Sequence, residues 1–344
     1  MAEEIAELID LEALSLWMDR QGLPTGTIEK TELLGGGTQN ILLKFSRGGE
    51  TFVLRRPPPH PRPESNNTIR REARLLSAIA GSDVPHPGLI AACGDEDILG
   101  VAFYLMQPID GFNPTTGLAP FHLEHPEARY RMGFAMAEGI AKLGAIDYID
   151  AGLADFGKPE NYLDRQVARW QKLLESYSDF AKWPGPASIP GIEKVANWLN
   201  DNRPASFKPG IIHGDFHLSN VMFCYDSAEL AAIVDWELTT IGDPLLDLGW
   251  LMATWPDAHA SAEVVSVQPW KDFATIDELI RHYGTLTVRD MSAIQWYGVL
   301  ACYKLGIILE GTFARACEGL APVATGDRLH ASTVGLFERA LRMI

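Results

Sequence analysis

The sequence lacks an excess of positive charge. Its 344 residues include 29 Lys and Arg against 45 Asp and Glu, which gives a formal net charge of −16. Binding to nucleic acid or to an anionic membrane requires clustered basic side chains, because both partners are polyanions. The composition therefore argues against nucleic acid and against a membrane as partners.

Cysteine is also scarce, and long apolar runs are absent. The four cysteines, Cys93, Cys224, Cys302 and Cys317, form no C-x-x-C pair and no metal-ligand spacing, as is typical of reduced thiols in an intracellular protein. No apolar run reaches the ~18 residues needed to span a bilayer. The opening MAEEIAELIDLEAL is acidic where a targeting peptide would be basic, and we expect a cytoplasmic location.

The order of apolar patterns predicts two parts. Residues 4–20 show helical spacing, and strand-like runs follow in TIEKTELL, ILLKF and TFVLRRPPP. A helix in NNTIRREARLLSAIAG and a buried strand in VAFYLMQPIDG come next, and helical patterns dominate the rest. The sequence thus predicts a small antiparallel sheet with one helix at residues 1–107, and a larger, mainly helical part at 108–344.

Polar side chains follow two apolar strands in the second part. IIHGDFHLSN places His213, Asp215 and Asn220 after one strand, and AAIVDWE places Asp235 after another. Asp and Asn are common in turns, but two strands that end side by side would gather these oxygen atoms around a cation such as Mg²⁺. Phosphoryl transfer needs this set, because a carboxylate orients the acceptor hydroxyl while an Asn and an Asp hold the metal.

These loops resemble a known family. HGDFHLSNVMF and IVDWELTTIGDPLLDL are similar to the catalytic and metal loops of the aminoglycoside phosphotransferase family, relatives of the protein kinases. The resemblance covers nearly the whole chain and implies a bilobal α+β fold, with ATP and Mg²⁺ as cofactors. It also implies that Asp215 is the catalytic base and that Asn220 and Asp235 are Mg²⁺ ligands. His213 then holds the loop, although a direct catalytic role is an alternative.

Two further acids lie in IGDPLLDLGW. Asp243 can cap a helix that begins with Pro244, a residue favoured in the first turn. Asp247 lies one turn later among apolar neighbours, where an ionised carboxylate needs partners, and the resemblance implies that it braces the catalytic loop. Glu237 is compatible with a supporting role or with simple exposure.

The first part carries the expected nucleotide-binding residues. The backbone of Gly36, Gly37 and Thr38 in LLGGGTQN could cover phosphates, but an ordinary hairpin turn is equally compatible, since G-x-G-x-x-G is absent. By resemblance to the kinase hinge, backbone groups from Gln107 to Ile109 would bind adenine.

Strand alternation in FVLRRPP separates two neighbouring arginines. It places Val53 and Arg55 on one face and Arg56 on the other. Arg55 falls where kinases carry a phosphate-binding Lys, and Arg is a competent phosphate ligand. Glu72 in the following helix is its expected ion-pair partner, with surface charge as the alternative.

The acceptor is the least defined feature. FVLRRPP, YLDRQVARW and YKLGIILEGTFAR resemble the branch of the family related to acyl-CoA dehydrogenases, which is associated with phosphorylating hydroxyacyl groups. Arg165 and Arg169 are four residues apart, so on a helix they share a face that either meets an anionic substrate group or is solvated.

A second group of charges lies in the apolar run VLACYKLGIILEGTFARA. Lys304, Glu310 and Arg315 are expected to be buried there, since a helix that is apolar nearly all round is a core helix. Buried charges are paired or functional. Either an ion-pair network or a substrate contact accounts for them.

The sequence predicts a kinase of small-molecule hydroxyls that uses ATP and Mg²⁺, with a hydroxyacyl compound as the acceptor. A kinase of an aminoglycoside or amino alcohol is the enzymatic alternative. A nucleotide-binding pseudokinase that serves as a binding module is the alternative of another class, favoured by Arg55 and the irregular glycine turn. The set of Asp215, Asn220 and Asp235 favours the enzyme.

Overall fold

The computed structural model describes residues 5, 7–35, 40–256 and 264–344. The chain divides into two compact units. The N-terminal unit contains Met1–Gly111, Ala151–Leu153 and Ala231–Glu237, and the C-terminal unit contains the remaining segments. The division after Gly111 lies four residues beyond the boundary expected from the sequence. The N–H of Gln107 donates to Gly88 in the N-terminal unit, whereas Phe112 exchanges two backbone hydrogen bonds with Phe223 in the C-terminal unit.

The N-terminal unit contains the antiparallel sheet that the sequence predicts. Its strands lie in the order β1-β2-β3-β5-β4. A tight turn at Gly48 and Gly49, both at positive φ, joins β2 to β3 and pairs Arg47 with Glu50, as in two-residue hairpins whose backbone requires glycine. The elements are α1 Leu11–Arg20, β1 Glu29–Leu33, β2 Ile41–Arg47, β3 Glu50–Arg56, α2 Ser65–Ala78, β4 Leu89–Cys93 and β5 Phe103–Met106.

The apolar spacing predicts one continuous helix over 4–20, but the structure interrupts it. Ile5, Glu7 and Leu8 are helical, whereas Ile9 and Asp10 are not. The Asp10 side chain accepts the N–H of Ala13 at 2.9 Å, so a side-chain cap opens α1 at Leu11. Trp17 of α1 packs against Phe103 of β5 with ring centres 4.7 Å apart. This contact ties α1 to the core of the sheet.

The C-terminal unit is mainly helical, as expected. Short strands lead into and out of the loops of interest: β6 pairs with β9 in antiparallel register, with Ile211 opposite Ile241. The strands are β6 Gly210–Ile212, β7 Val221–Phe223, β8 Leu230–Ile233, most of which belongs to the N-terminal unit, and β9 Thr240–Gly242. The helices are α3 Pro120–Glu124, α4 Pro126–Ala145, α5 Gln166–Ser176, α6 Ile192–Asp201, α7 Leu245–Thr254, α8 Ile276–Leu286, α9 Ile294–Cys317 and α10 Val323–Met343.

Helix α9 is the central helix of this unit. By length and composition alone it could cross a membrane, but 67% of its most apolar stretch is buried inside the protein. A helix that is apolar nearly all round is typical of a protein core. Packing against α7 and α10 accounts for that composition.

Candidate active site

The loop after β6 is held in a tight turn. Gly214 adopts φ +87°, and a Cβ at this position would lie 2.6 Å from the carbonyl oxygen of Leu238. A side chain is therefore excluded both by conformation and by space. The turn directs the chain from the buried strand into Asp215, and a short 3₁₀ turn, Leu218–Asn220, ends the loop.

Asp247 braces this loop from α7, as the family resemblance implies. Its carboxylate accepts the N–H of His213 at 2.7 Å and the N–H of Gly214 at 2.9 Å. Burial raises the pKa of Asp247 to about 6, although the two hydrogen bonds and the charge of Lys304 oppose the rise. The acid thus fixes two consecutive peptide groups immediately before Asp215.

We expect Asp247→Asn to lower turnover about tenfold, because an asparagine offers one acceptor oxygen and turns its amide group toward the second N–H, so one hydrogen bond is lost. Steady-state kinetics at saturating nucleotide measures the effect. Asp201→Asn at the exposed end of α6 is the matched control and should match wild type. Equal turnover in Asp247→Asn and wild type would contradict the bracing role.

Asp215 lies within a network of donors. The Asn220 side-chain amide donates to both the carbonyl oxygen and the Oδ2 of Asp215, at 2.9 and 3.0 Å, and His217 Nε2 is 3.3 Å from Oδ1. Burial alone would raise the pKa of Asp215, but the His217 hydrogen bond and the charges of His217, His213 and Lys304 lower it to about 2. The carboxylate is therefore ionised at neutral pH and can orient a hydroxyl.

The His213 side chain is buried and contacts the backbone of the loop at Asp215. The residue is fully buried, and its Nδ1 accepts the N–H of Asp215 at 3.3 Å. These contacts agree with the role of holding the loop. His217 was missed by the sequence reasoning, although its position two residues after Asp215 could have signalled a partner for that acid.

Arg55 and Glu72 form the expected ion pair in the N-terminal unit. Arg55 Nε lies 2.8 Å from Glu72 Oε2, and Nη2 donates to Oε1 at 3.1 Å. The hydroxyl of Tyr104 donates to the same carboxylate at 2.8 Å. Burial alone would lower the pKa of Arg55, but the charges of Glu72 and Asp235 raise it, so the guanidinium stays charged. Arg56 points the other way and donates to Leu8, which confirms the predicted alternation.

Asp235 also belongs to the N-terminal unit. It adopts φ +65°, and its Oδ1 accepts from Arg55 Nη2 at 3.0 Å, while 40% of its side chain is exposed. One guanidinium thus contacts both Glu72 and Asp235. Glu237, two residues on, is half-buried in the turn Trp236–Leu238, and its role stays open.

The predicted metal ligands, Asn220 and Asp235, lie in different units. Both offer oxygen atoms of the kind that Mg²⁺ prefers. Because Asn220 directs its amide hydrogens at Asp215, its carbonyl oxygen is the atom suited to a cation. Over the described ranges no three His, Cys, Asp or Glu side chains cluster as a metal site, and the assignment of these two ligands stays a prediction.

The predicted adenine-binding segment is defined more closely by its backbone contacts. The N–H of Gln107 donates to the carbonyl oxygen of Gly88 at 2.8 Å, so this N–H already has an acceptor within the protein and is not offered to adenine. Pro108 has no N–H. The carbonyl oxygen of Gln107 and the N–H of Ile109 are therefore the groups suited to adenine. Gly36, Gly37 and Thr38 lie outside the described residues.

Asp243 has a capping contact that differs in detail from the prediction. Helix α7 begins at Leu245, with Pro244 as its N-cap, one residue later than expected. The Asp243 carboxylate still accepts the N–H of Leu245 at 3.0 Å and also receives the hydroxyl of Tyr297. Its role is structural.

The predicted acceptor-side residues separate into different environments. Arg165 is the N-cap residue of α5, with helical backbone angles, and Arg169 follows four residues later, but the two side chains have different partners. The Arg165 guanidinium donates to the backbone of Lys158 and Glu160. Arg169 instead lies over the ring of Trp170, 5.0 Å from its centre.

The three charged residues of α9 do not act as one network. Glu310 is fully buried, accepts from Trp183 at 2.7 Å and lies 2.7 Å from His330. Arg315 donates to Leu320 beyond the end of the helix, about 16 Å along the axis from Lys304 by helix geometry. Both residues have structural partners.

Of these three residues, Lys304 is the one that contacts the loop carrying Asp215. Its Nζ donates to the carbonyl oxygen of Gly214 at 3.3 Å. Burial lowers the pKa of Lys304 to about 8, while the charges of Asp215 and Asp247 oppose the fall. The residue remains largely protonated at neutral pH and places a positive charge beside the loop.

Comparison with known proteins agrees with this geometry. Residues 30–271 match the phosphotransferase enzyme family (APH). Acyl-CoA dehydrogenase family member 10 of Mus musculus is 28% identical over 312 residues, which cover 88% of this chain and 28% of that protein. The chain thus spans less than a third of the length of this relative.

Solved structures share the fold. A protein of Ralstonia eutropha JMP134, provisionally described as an aminoglycoside phosphotransferase, is 28% identical with a TM-score of 0.79, covering 97% of this chain and 99% of that one. A more distant structure, the aminoglycoside phosphotransferase APH(4)-Ia in complex with AMP-PNP and hygromycin B, has a TM-score of 0.56 at 15% identity, over 96% of this chain and 98% of that one. The chain therefore belongs to the phosphotransferase enzyme family and has a protein-kinase-like α+β fold.

Proposed function

We propose that the protein transfers the γ-phosphate of ATP, in a Mg²⁺-dependent reaction, to a hydroxyl of a hydroxyacyl compound. The observation that carries this proposal is the placement of the Asp215 carboxylate, which accepts a hydrogen bond from Asn220 at 3.0 Å and lies 3.3 Å from His217 Nε2; with the pKa of Asp215 lowered to about 2, the carboxylate is ionised. A base in this state accepts the hydroxyl proton as the new bond to phosphorus forms and the bond to ADP breaks.

The remaining roles follow from the residues on each unit. Arg55 carries a fixed, charged guanidinium suited to a nucleotide phosphate, and Gln107 and Ile109 offer an acceptor and a donor to adenine. Asn220 and Asp235 would hold Mg²⁺, which neutralises charge on the phosphates when bound. In support, the distant relative APH(4)-Ia was crystallised with the ATP analogue AMP-PNP.

Two observations favour an anionic or acyl acceptor. Lys304 donates to the loop that carries Asp215. Burial lowers the pKa of that lysine, and the positive charge of Arg169 is close enough to lower it further. A polycation would be repelled there, at a cost of several kcal/mol in a partly desolvated site. The relatives named as acyl-CoA dehydrogenase family members support an acyl compound. An aminoglycoside acceptor remains the second candidate, since APH(4)-Ia binds hygromycin B in its crystal structure.

A screen of acceptors tests this proposal. Hydroxyacyl-CoAs, hydroxy acids, amino alcohols and aminoglycosides are incubated with radiolabelled ATP and Mg²⁺, and phosphorylated product is measured. We expect transfer to a hydroxyacyl compound or hydroxy acid and negligible transfer to aminoglycosides. An aminoglycoside as the best acceptor would overturn the substrate assignment, and no transfer to any class would favour a pseudokinase.

The metal role of Asp235 is tested by thermal unfolding. ATP with Mg²⁺ should stabilise the wild-type protein more than ATP alone, because at a given concentration a ligand that binds the folded state more tightly stabilises it more. In Asp235→Ala the additional effect of Mg²⁺ should be lost. Asp226→Ala, an exposed acid beyond β7, is the control. If Mg²⁺ adds the same stabilisation to wild type and Asp235→Ala, the residue is not a ligand.

A further inference from the structure

The ammonium group of Lys304 lies between two indole rings. Its Nζ is 4.3 Å from the centre of the Trp250 ring and 5.4 Å from the centre of the Trp170 ring. Contacts of this kind hold a cation in place through the negative face of the ring. Over the described residues this ammonium group donates one hydrogen bond, to Gly214, and an ammonium group has three donors. A positioned cation with further donor capacity therefore lies beside the catalytic loop.

Trp250 adds a second donor. The residue is 5% exposed, and its Nε1 is buried with no hydrogen-bond partner anywhere in the part of the chain that the structure describes. An unsatisfied buried N–H costs about 1–3 kcal/mol. Other indoles avoid this cost by donating to an oxygen atom: Trp170, Trp183, Trp236, Trp255 and Trp296.

The Trp250 side chain lies near the residues that hold the loop carrying Asp215. Trp250 lies three residues after Asp247 on α7, so the two side chains are neighbours on the same side of the helix. Asp247 holds the loop through His213 and Gly214, and Lys304 contacts Gly214 from α9. Asp247 and Lys304 thus both contact the short loop that carries the base, and Trp250 is the neighbour of Asp247 on α7 and contacts Lys304 through its ring.

We propose that Lys304 and the N–H of Trp250 form a subsite for the carbonyl or carboxylate oxygen of the acceptor, beside Asp215. The inference rests on the proposed function and deepens it, because it says which group of the acceptor is recognised in addition to its hydroxyl. Both groups donate hydrogen bonds and neither accepts. The subsite therefore selects an oxygen acceptor and excludes the ammonium group of an amino alcohol.

Binding of two small probes tests the subsite without requiring phosphoryl transfer. Butyrate and 1-butanol share an alkyl chain but differ in the carboxylate, and ligand-observed NMR at neutral pH gives their affinities for the full chain. We expect wild type to bind butyrate more tightly than 1-butanol. Lys304→Met should weaken butyrate binding about tenfold or more, and Trp250→Phe several-fold, as expected for lost hydrogen bonds to a charged group.

Matched variants separate this role from general effects. Trp296→Phe removes an indole N–H that already donates to Leu199, and Lys172→Met removes an exposed charge from α5. Neither should change the preference for butyrate, and Lys304→Arg should retain part of it. The proposal is overturned if wild type does not prefer butyrate, or if Trp296→Phe weakens binding as much as Trp250→Phe. If no acceptor in the screen is phosphorylated but wild type still prefers butyrate, the proposed kinase function is rejected and the subsite is retained.

Discussion

Replacing Asp215 with asparagine is expected to lower turnover about 100-fold or more, the usual range for loss of a general base, while Mg²⁺-ATP binding stays close to wild type. The amide can neither accept the hydroxyl proton nor supply the negative charge that orients it. It can still accept the hydrogen bond that Asn220 gives to Oδ2, so the loop should keep its conformation.

Single-turnover kinetics and nucleotide titration separate these effects. Asp226→Asn carries the same chemical change at an exposed position beyond β7 and serves as the control. Turnover equal to wild type in Asp215→Asn would remove Asp215 from the reaction. Loss of nucleotide binding in parallel with turnover would instead indicate that the residue acts on ATP.

Replacing Arg55 with alanine is expected to lower the free energy of unfolding by about 3–5 kcal/mol, as is typical when one partner of a buried ion pair is removed. Glu72 is 1% exposed, and in the variant its buried carboxylate loses the guanidinium charge and keeps the hydrogen bond from the Tyr104 hydroxyl. Nucleotide affinity should fall as well. Arg55→Lys should retain part of both properties, because a point charge replaces only part of a two-atom contact.

Denaturant unfolding monitored by circular dichroism measures the stability change. Arg70→Ala is the matched control, because its ion pair with Glu96 is exposed on both sides and such pairs contribute about 0–1 kcal/mol. The double variant Arg55→Met with Glu72→Leu should recover much of the stability but not the nucleotide binding. A larger loss of nucleotide affinity in Arg56→Ala than in Arg55→Ala would contradict the assigned roles of the two arginines.

Local patterns predicted much of this fold and site. The alternation in β3 was sufficient to separate Arg55 from Arg56, because a strand has a period of two residues. The spacing of Asp215 and Asn220 predicted that their side chains meet in one short loop, and they do, at 3.0 Å. The strands and the helical second part also followed from periodicity.

Long-range contacts could not be predicted in this way. Glu310 accepts from Trp183, 127 residues away in sequence, and Lys304 donates to Gly214, 90 residues away. No period within α9 distinguishes these two charges, because their partners lie on other elements. The partners of Arg165 could not be predicted either, because its guanidinium donates to backbone groups of Lys158 and Glu160, which precede the helix.

The brace at Asp247 has a thermodynamic consequence. Its pKa is about 6 in the folded protein against an ordinary value of 3.8, so the folded state binds this proton more tightly than the unfolded chain. The contribution of this group to stability is therefore greatest at acid pH and declines as the pH rises from about 4 to 6, by about 3 kcal/mol for a shift of this size. At neutral pH Asp247 is therefore a buried negative charge that lowers the free energy of unfolding. The same charged carboxylate accepts the two hydrogen bonds that fix the loop before Asp215.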